Sequence, residues 1–515
     1  MPSSTATRVI KNTGYLYAKM GITMFISLYT TRLILNSLGA SDFGIFNIVG
    51  GAIAMLGFLN GAMASATQRF MSYSEGEGNK EKQKSIFNVS LVLHFGIAFI
   101  VGIVLLIAGY FFFNGILNIP VDRIFAAKVV YASLIVSTMF TVMTVPYDAA
   151  MNAHENMKYY AIVGILESFL KLAVALACVY TSYDKLIVYG SLMACIPLIT
   201  LTIMRVYCHK HYEECSIRIK KYWDKRLMKE MTSFAGWNFS SVAIIMISAQ
   251  GQGVVLNHFF GTILNAAQGI SSQVNGQLQI LSSNMLKALN PILGKSAGAK
   301  NEELLIKSTL FGAKYSTALY LLVAIPFFIE TPYILKIWLK EIPEWTIIFV
   351  RFQLIKTFIE FQFGTFPTAI SATGHIRKYT IWSCLFNFFQ LPVMYLLFKV
   401  GMPPYFLYIT SIIFGNVLVY IAAILFTKKL VGISIIQYVQ KVTLPLYETL
   451  ALSIMILYMV EQFIQINSFF KLLIFILLAV MIFSIAFFFI GCGKQEKQIL
   501  YTIKAEILNK IHKNV

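Results

Sequence analysis

The residues that stand out for chemistry are charges placed where charges are costly. Lys19 and Arg32 lie thirteen positions apart in one apolar run, and Lys171, Lys314, Arg351 and Lys356 lie inside others. An ionised side chain in hydrocarbon costs about 2.5 to 3.5 kcal/mol on insertion scales, so each asks for a partner, a wet cavity or a route to the interface. About 20 Å of helical rise separates Lys19 from Arg32, enough for the two to snorkel to opposite interfaces. The alternative for Arg32 is a guanidinium fork offered to an anion in a cleft. Glu167 precedes Lys171 by four residues and Lys356 precedes Glu360 by four, so each pair can neutralise itself on one helix face. The same spacing allows an anion to compete for the lysine while the freed Glu167 or Glu360 takes a proton. Burial and the lysine shift the carboxylate in opposite senses, which leaves both readings open.

A second pattern is polar but uncharged. The stretch "LNAAQGISSQVNGQLQILSSN" carries Gln268, Ser272, Asn275, Gln279 and Ser282 at spacings of three and four, one stripe of a helix. The preceding apolar run adds Asn238, Ser241, Ser248 and Gln252 on roughly one face. Facing lipid, such groups would be unsatisfied, so they must face protein or water. Helix-to-helix hydrogen bonding and a wetted cleft lining are the two outcomes.

The elements that carry these residues follow from composition. With 57% hydrophobic and 13% charged residues over 515 positions, the chain reads as an all-α polytopic membrane protein. About fourteen apolar runs have the length of about 20 residues that a membrane helix needs. They include spans near 14 to 38, 43 to 64, 262 to 289, 345 to 368 and 404 to 427. The formal charge of +19 does not point to nucleic acid, because Lys and Arg gather in alternate loops, from Arg69 to Lys84, from Arg205 to Lys229 and in the tail after Lys494. Intervening loops hold few, chiefly Arg123, Lys185, Lys336, Lys340 and Lys399. The asymmetry places both termini in the cytoplasm. The six cysteines form no C-x-x-C pair and imply neither a metal site nor a disulfide framework. No phosphate-cradling glycine motif, zinc signature or nucleophile elbow occurs, and no cofactor is expected.

The chain also repeats itself. "GEGNKEK" (76–82) returns as "GAKNEEL" (298–304), an offset of 222, and "PYDAAMNAH" (146–154) returns as "PTAISATGH" (367–375), an offset of 221. Two lobes of six helices in parallel repeat are therefore expected, followed by two extra helices. The expected divisions are 1–208, a basic cytoplasmic linker 209–230, 231–427, and 428–515 with a basic tail. Within the linker, "IRIKKYWDKRLMKEM" can form an amphipathic helix or a solvated loop.

An arginine near the end of the first helix followed by "LILNSLGASDFGIFNIV", with Arg32, Leu38, Gly39, Asp42, Gly44 and Phe46, resembles the start of the polysaccharide-transporter branch of the multidrug, oligosaccharidyl-lipid and polysaccharide exporter superfamily. "ATQRFMSYSEGEGN" after the second helix is similar too. The resemblance implies a flippase in a bacterial inner membrane that carries polyprenyl-pyrophosphate-linked oligosaccharide for O-antigen, capsule or exopolysaccharide assembly. Its partners would be membrane lipids and polysaccharide polymerase and chain-length machinery. It further implies that Arg32, Lys19, Lys171, Arg351 and Lys356 are diphosphate candidates, that Gln252, Gln268, Ser272, Asn275 and Gln279 are sugar candidates, and that Glu167 and Glu360 are proton-coupling candidates. The nearest alternative is a cation-coupled multidrug exporter of the same plan. A membrane-embedded polysaccharide polymerase or glycosyltransferase is an alternative of another class, against which the short outer loops argue.

Overall fold

In the computed structural model, residues 3–54, 57–116, 119–339, 342–464, 468–493 and 496–498 are described. They form helices joined by short connections, with no β-strand among the described residues. Ten of these helices are long and apolar enough to cross a membrane. Helices suit that setting because each satisfies its own backbone where water is absent. The chain is a multi-pass all-α membrane protein.

Two compact units divide it. One holds Asn12–Val242 with Gly298–Lys300; the other holds the described residues up to Lys11, Ala243–Ala297 and those from Asn301 onward. The first unit contains α1 (Ser3–Ala54, from Asn12), α2 (Gly57–Glu77), α3 (Lys80–Phe111), α4 (Ile124–Ala153), α5 (Met157–Tyr180), α6 (Lys185–His211), α7 (Ile219–Tyr222) and the start of α8 (Lys225–Phe260). It is built around α4, which packs on α2, α3 and α6. There Val130, Leu105 and Leu186 are buried, and Tyr131 donates its hydroxyl to the Leu105 carbonyl at 2.6 Å. Asn79, Asn156 and Asp184 cap α3, α5 and α6 by accepting from first-turn amides, which satisfies donors that a helix start leaves open.

The second unit contains the rest of α8, then α9 (Thr262–Leu278), α10 (Ile280–Gly298), α11 (Glu302–Ile329), α12 (Thr331–Trp338), α13 (Thr346–Phe363), α14 (Thr365–Thr373), α15 (Arg377–Lys399) and α16 (Phe406–Thr410). A π-helical stretch (Ser411–Leu418), α17 (Val419–Val431), α18 (Ile435–Tyr438), α19 (Leu444–Ile464) and α20 (Phe469–Ala486) complete it. Its centre is α11, which packs on α13, α14, α19 and α20.

The repeat is written in the helix starts. Helices α3, α4, α5 and α6 begin 220 to 222 residues before α11, α13, α15 and α16. Asn301 caps α11 as Asn79 caps α3, each carboxamide oxygen accepting the amide three residues on.

Three expectations change. The break between the first two spans is one residue, Gly39, inside α1, so the expected span 43 to 64 is shared between α1 and α2, with 55–56 outside the described residues. The linker is not one amphipathic helix. Asp224 accepts from the amides of Arg226 and Leu227 and so starts α8 there, leaving only the short α7 before it. The spans 262 to 289 and 345 to 368 are each interrupted, at Gln279 and Gly364.

Candidate functional site

In the first unit a charged strip runs along α5. Tyr160, Gly164, Glu167 and Lys171 recur at four, three and four residues, one face of a helix. Lys171 pairs with Glu167 at 2.7 Å, both half exposed. Lys19 of α1 crosses this face at Gly164, where a Cβ would lie 2.2 Å from its Cε and 2.5 Å from its Nζ. The ammonium ends 4.3 Å from the centre of the Tyr160 ring, a cation-π contact that strengthens when desolvated. Asp148 of α4 and Glu167 are charged neighbours of the same phenol. Arg32 stands apart from this group, exposed on α1.

Two ion clusters tie down the ends of this unit. Arg123, ahead of α4, binds Asp42 through Nε at 2.8 Å and through Nη2, and Asp184 through Nη1 at 2.7 Å. Asp184 also caps α6. Burial pushes its carboxyl up, but the Arg123 hydrogen bond and the amides of Ile187 and Leu186 outweigh that and hold it below its ordinary value. Beyond α4, His154 Nε2 lies 2.5 Å from Glu214, its Nδ1 is 3.5 Å from Glu75, and its ring stacks on Tyr212. His154 thus serves the turn it stands in.

The second unit holds a buried, neutral network. Gln390 of α15 donates to Ser411 Oγ at 2.7 Å; Ser411 donates to the Leu407 carbonyl at 2.7 Å, with Gln252 Oε1 3.3 Å away. Ser248 donates to the Asn387 carbonyl at 2.9 Å. Ser271 and Tyr408 share a hydrogen bond at 2.5 Å. Asn275 is buried, its Oδ1 accepting from Tyr320 at 3.2 Å. Gln268 and Gln279 are half-buried, the Gln268 side-chain oxygen lying beside Gly253, and Ser272 is exposed. The expected stripe is therefore divided: Gln252 joins the network, Asn275 packs on α11, and Ser271 rather than Ser272 faces inward.

The remaining expected residues are also located. Lys356 pairs with Glu360 at 3.0 Å. Arg351 donates to the carbonyls of Phe328 and Ile329 at 3.2 and 3.3 Å, neutralising acceptors that the end of α11 leaves open. Lys314 is buried and pairs with Glu496 at 2.7 Å. Between α11, α13 and α19 lies an apolar cavity of about 220 Å³, lined by Leu321, Phe328, Leu354, Phe358, Leu450 and Ile454 among others.

Sequence reasoning missed Tyr160, Gly164, Asn387, Gln390 and Ser411. Asn387 and Gln390 did leave a signal, two amides three apart in "FNFFQLP".

No family model matches the sequence, and no curated protein matches it. Solved structures do match. An outward-facing multidrug resistance MATE family transporter of the MOP superfamily aligns over 82% of this chain and 95% of its own, at 15% identity and a TM-score of 0.68. MATE in the bent conformation aligns over 82% of this chain and 95% of its own, at 14% identity and a TM-score of 0.67. A MOP superfamily transporter from Pyrococcus furiosus, described as having a binding pocket of reverse polarity suggesting a different function, gives 15% identity over 83% of this chain and 96% of its own, with a TM-score of 0.66. The fold is theirs. At such identity the likeness speaks for architecture, and cargo has to be argued from side chains.

Proposed function

We propose that this chain is a membrane carrier working by alternating access, and that its cargo is amphipathic. The observation that carries the proposal is the shared fold, which extends over 82% of the chain with transporters. The polar network and charged strip inside its units support it, because polar groups among membrane helices cost free energy unless used or satisfied.

For the cargo, the named neighbours favour a cation-coupled multidrug exporter over the lipid-linked oligosaccharide reading, since multidrug resistance is what one of them is named for. Half-buried carboxylates that a cationic cargo could meet are present in Glu360, and in Asp148 beside Tyr160.

The second reading is a flippase for polyprenyl-pyrophosphate-linked oligosaccharide in a bacterial inner membrane. Lys19, set against Tyr160 inside the first unit, suits an anion. The Pyrococcus protein's description names a binding pocket of reverse polarity, and on that ground the side-chain charges keep the anionic cargo as the second reading.

Deleting the gene in the organism of origin separates the two. Hypersensitivity to cationic dyes, reversed by the restored gene, supports the exporter. Lipid-linked repeat units accumulating on the cytoplasmic leaflet support the flippase. The absence of both effects would contradict the carrier proposal.

A further inference from the structure

We propose that Gly164 is a positioning residue for Lys19: it is the slot that sets the ammonium in place as the anion-selecting group of the first unit. The inference rests on the anionic-cargo reading above and deepens it.

The steric argument is direct. Lys19 must cross α5 to reach Tyr160, and it does so where α5 has no side chain. A Cβ at Gly164 would sit 2.2 Å from Lys19 Cε, 2.5 Å from Nζ and 3.1 Å from Cδ, well inside the carbon contact distance of about 3.5 to 4.0 Å. All three atoms belong to the far end of a flexible chain. An alanine would therefore leave the backbone where it is and expel the lysine tip, so the ammonium would leave the Tyr160 ring, 4.3 Å away. Helical glycine is also less stable than alanine, so the position carries a small stability cost that the lysine's placement explains. One turn further along, the Glu167 and Lys171 pair continues the strip, and an anionic head group at Lys19 would have to displace Glu167 to engage Lys171.

The test uses the full chain in lipid nanodiscs, with farnesyl pyrophosphate as the anionic probe and ethidium as the cationic one. Gly164→Ala is expected to melt at or above the parent temperature and to weaken farnesyl pyrophosphate binding about tenfold or more, the scale of one charge-assisted contact. Lys19→Ala should weaken it as much, and Gly164→Ala should add nothing in the Lys19→Ala background. Ethidium binding should not fall in either variant. Labelling of Lys19 by an amine-reactive reagent, read by mass spectrometry, should speed up in Gly164→Ala. Parental binding and labelling in Gly164→Ala, or losses that add in full, would overturn the assignment of Gly164. A parent chain that ignores farnesyl pyrophosphate and binds ethidium would instead overturn the anionic-cargo reading on which the inference rests.

Discussion

Gly39 and Gly261, 222 positions apart, interrupt their helices with the same backbone conformation, φ 78° and ψ 168° in one, φ 79° and ψ −171° in the other. That region of backbone space is essentially reserved for glycine, and other residues there are strained by about 1 to 3 kcal/mol. Neither position has an atom within 4 Å of a Cβ, so a substitution tests the backbone alone. Gly39→Ala and Gly261→Ala should each destabilise the chain by that amount, read as a lower melting temperature in detergent. A loss confined to one of the two would break the equivalence of the repeats at this point.

The Arg123 cluster makes a prediction about acid. Asp184 has a carboxyl held below its ordinary value of 3.8, so its stabilisation is fully present above that pH and fades as pH falls through the lower, folded-state value. Asp184→Asn should cost about 0.2 to 1 kcal/mol at pH 7, the scale of a partly exposed ion pair, because asparagine caps a helix start about as well as aspartate. The gap between variant and parent should narrow as pH falls through that folded-state value. A gap that does not narrow in acid would show that shape, not charge, is what Asp184 supplies.

Glu330 has the opposite sign. Burial, joined by the charge of Glu461, pushes its carboxyl up against the pull of Arg351. A raised acid is best tolerated protonated, so its favourable share is present below the ordinary value of 4.5 and is lost as pH rises through the folded-state value. Glu330→Gln should therefore raise the melting temperature at pH 8 and leave it unchanged at pH 4. Equal effects at both would contradict the assignment.

The neutral network of the second unit can be tested by isosteric loss. Gln390→Leu keeps volume but removes the donor to Ser411; Ser411 keeps its bond to the Leu407 carbonyl, so the cost should be that of one hydrogen bond, about 0.5 to 1.5 kcal/mol. The double variant with Ser411→Ala should recover part of that loss. Additive losses would mean the two do not act together.

What could be read from the sequence was local. The Glu167–Lys171 and Lys356–Glu360 pairs follow from four-residue spacing and form at 2.7 and 3.0 Å, and the Asn79 and Asn301 caps sit in the repeated motif. Contacts closed by tertiary packing left no such trace. Arg123 meets Asp42 and Asp184 across 81 and 61 residues, and nothing in a one-dimensional pattern selects Gly164 as the place where Lys19 crosses α5. The division of the stripe on α9 was hidden because spacing does not tell which of the adjacent residues Ser271 and Ser272, about 100° apart around the helix, is buried and which exposed. Gly261 was within reach, since adding the repeat offset to Gly39 lands on it.

Transport itself is the decisive quantity. The full chain reconstituted in liposomes should move a fluorescent cationic dye, or a fluorescent polyprenyl pyrophosphate, from one side of the bilayer to the other faster than empty liposomes do. Rates equal to those of empty liposomes for both cargoes, with the protein folded and inserted, would contradict the carrier account.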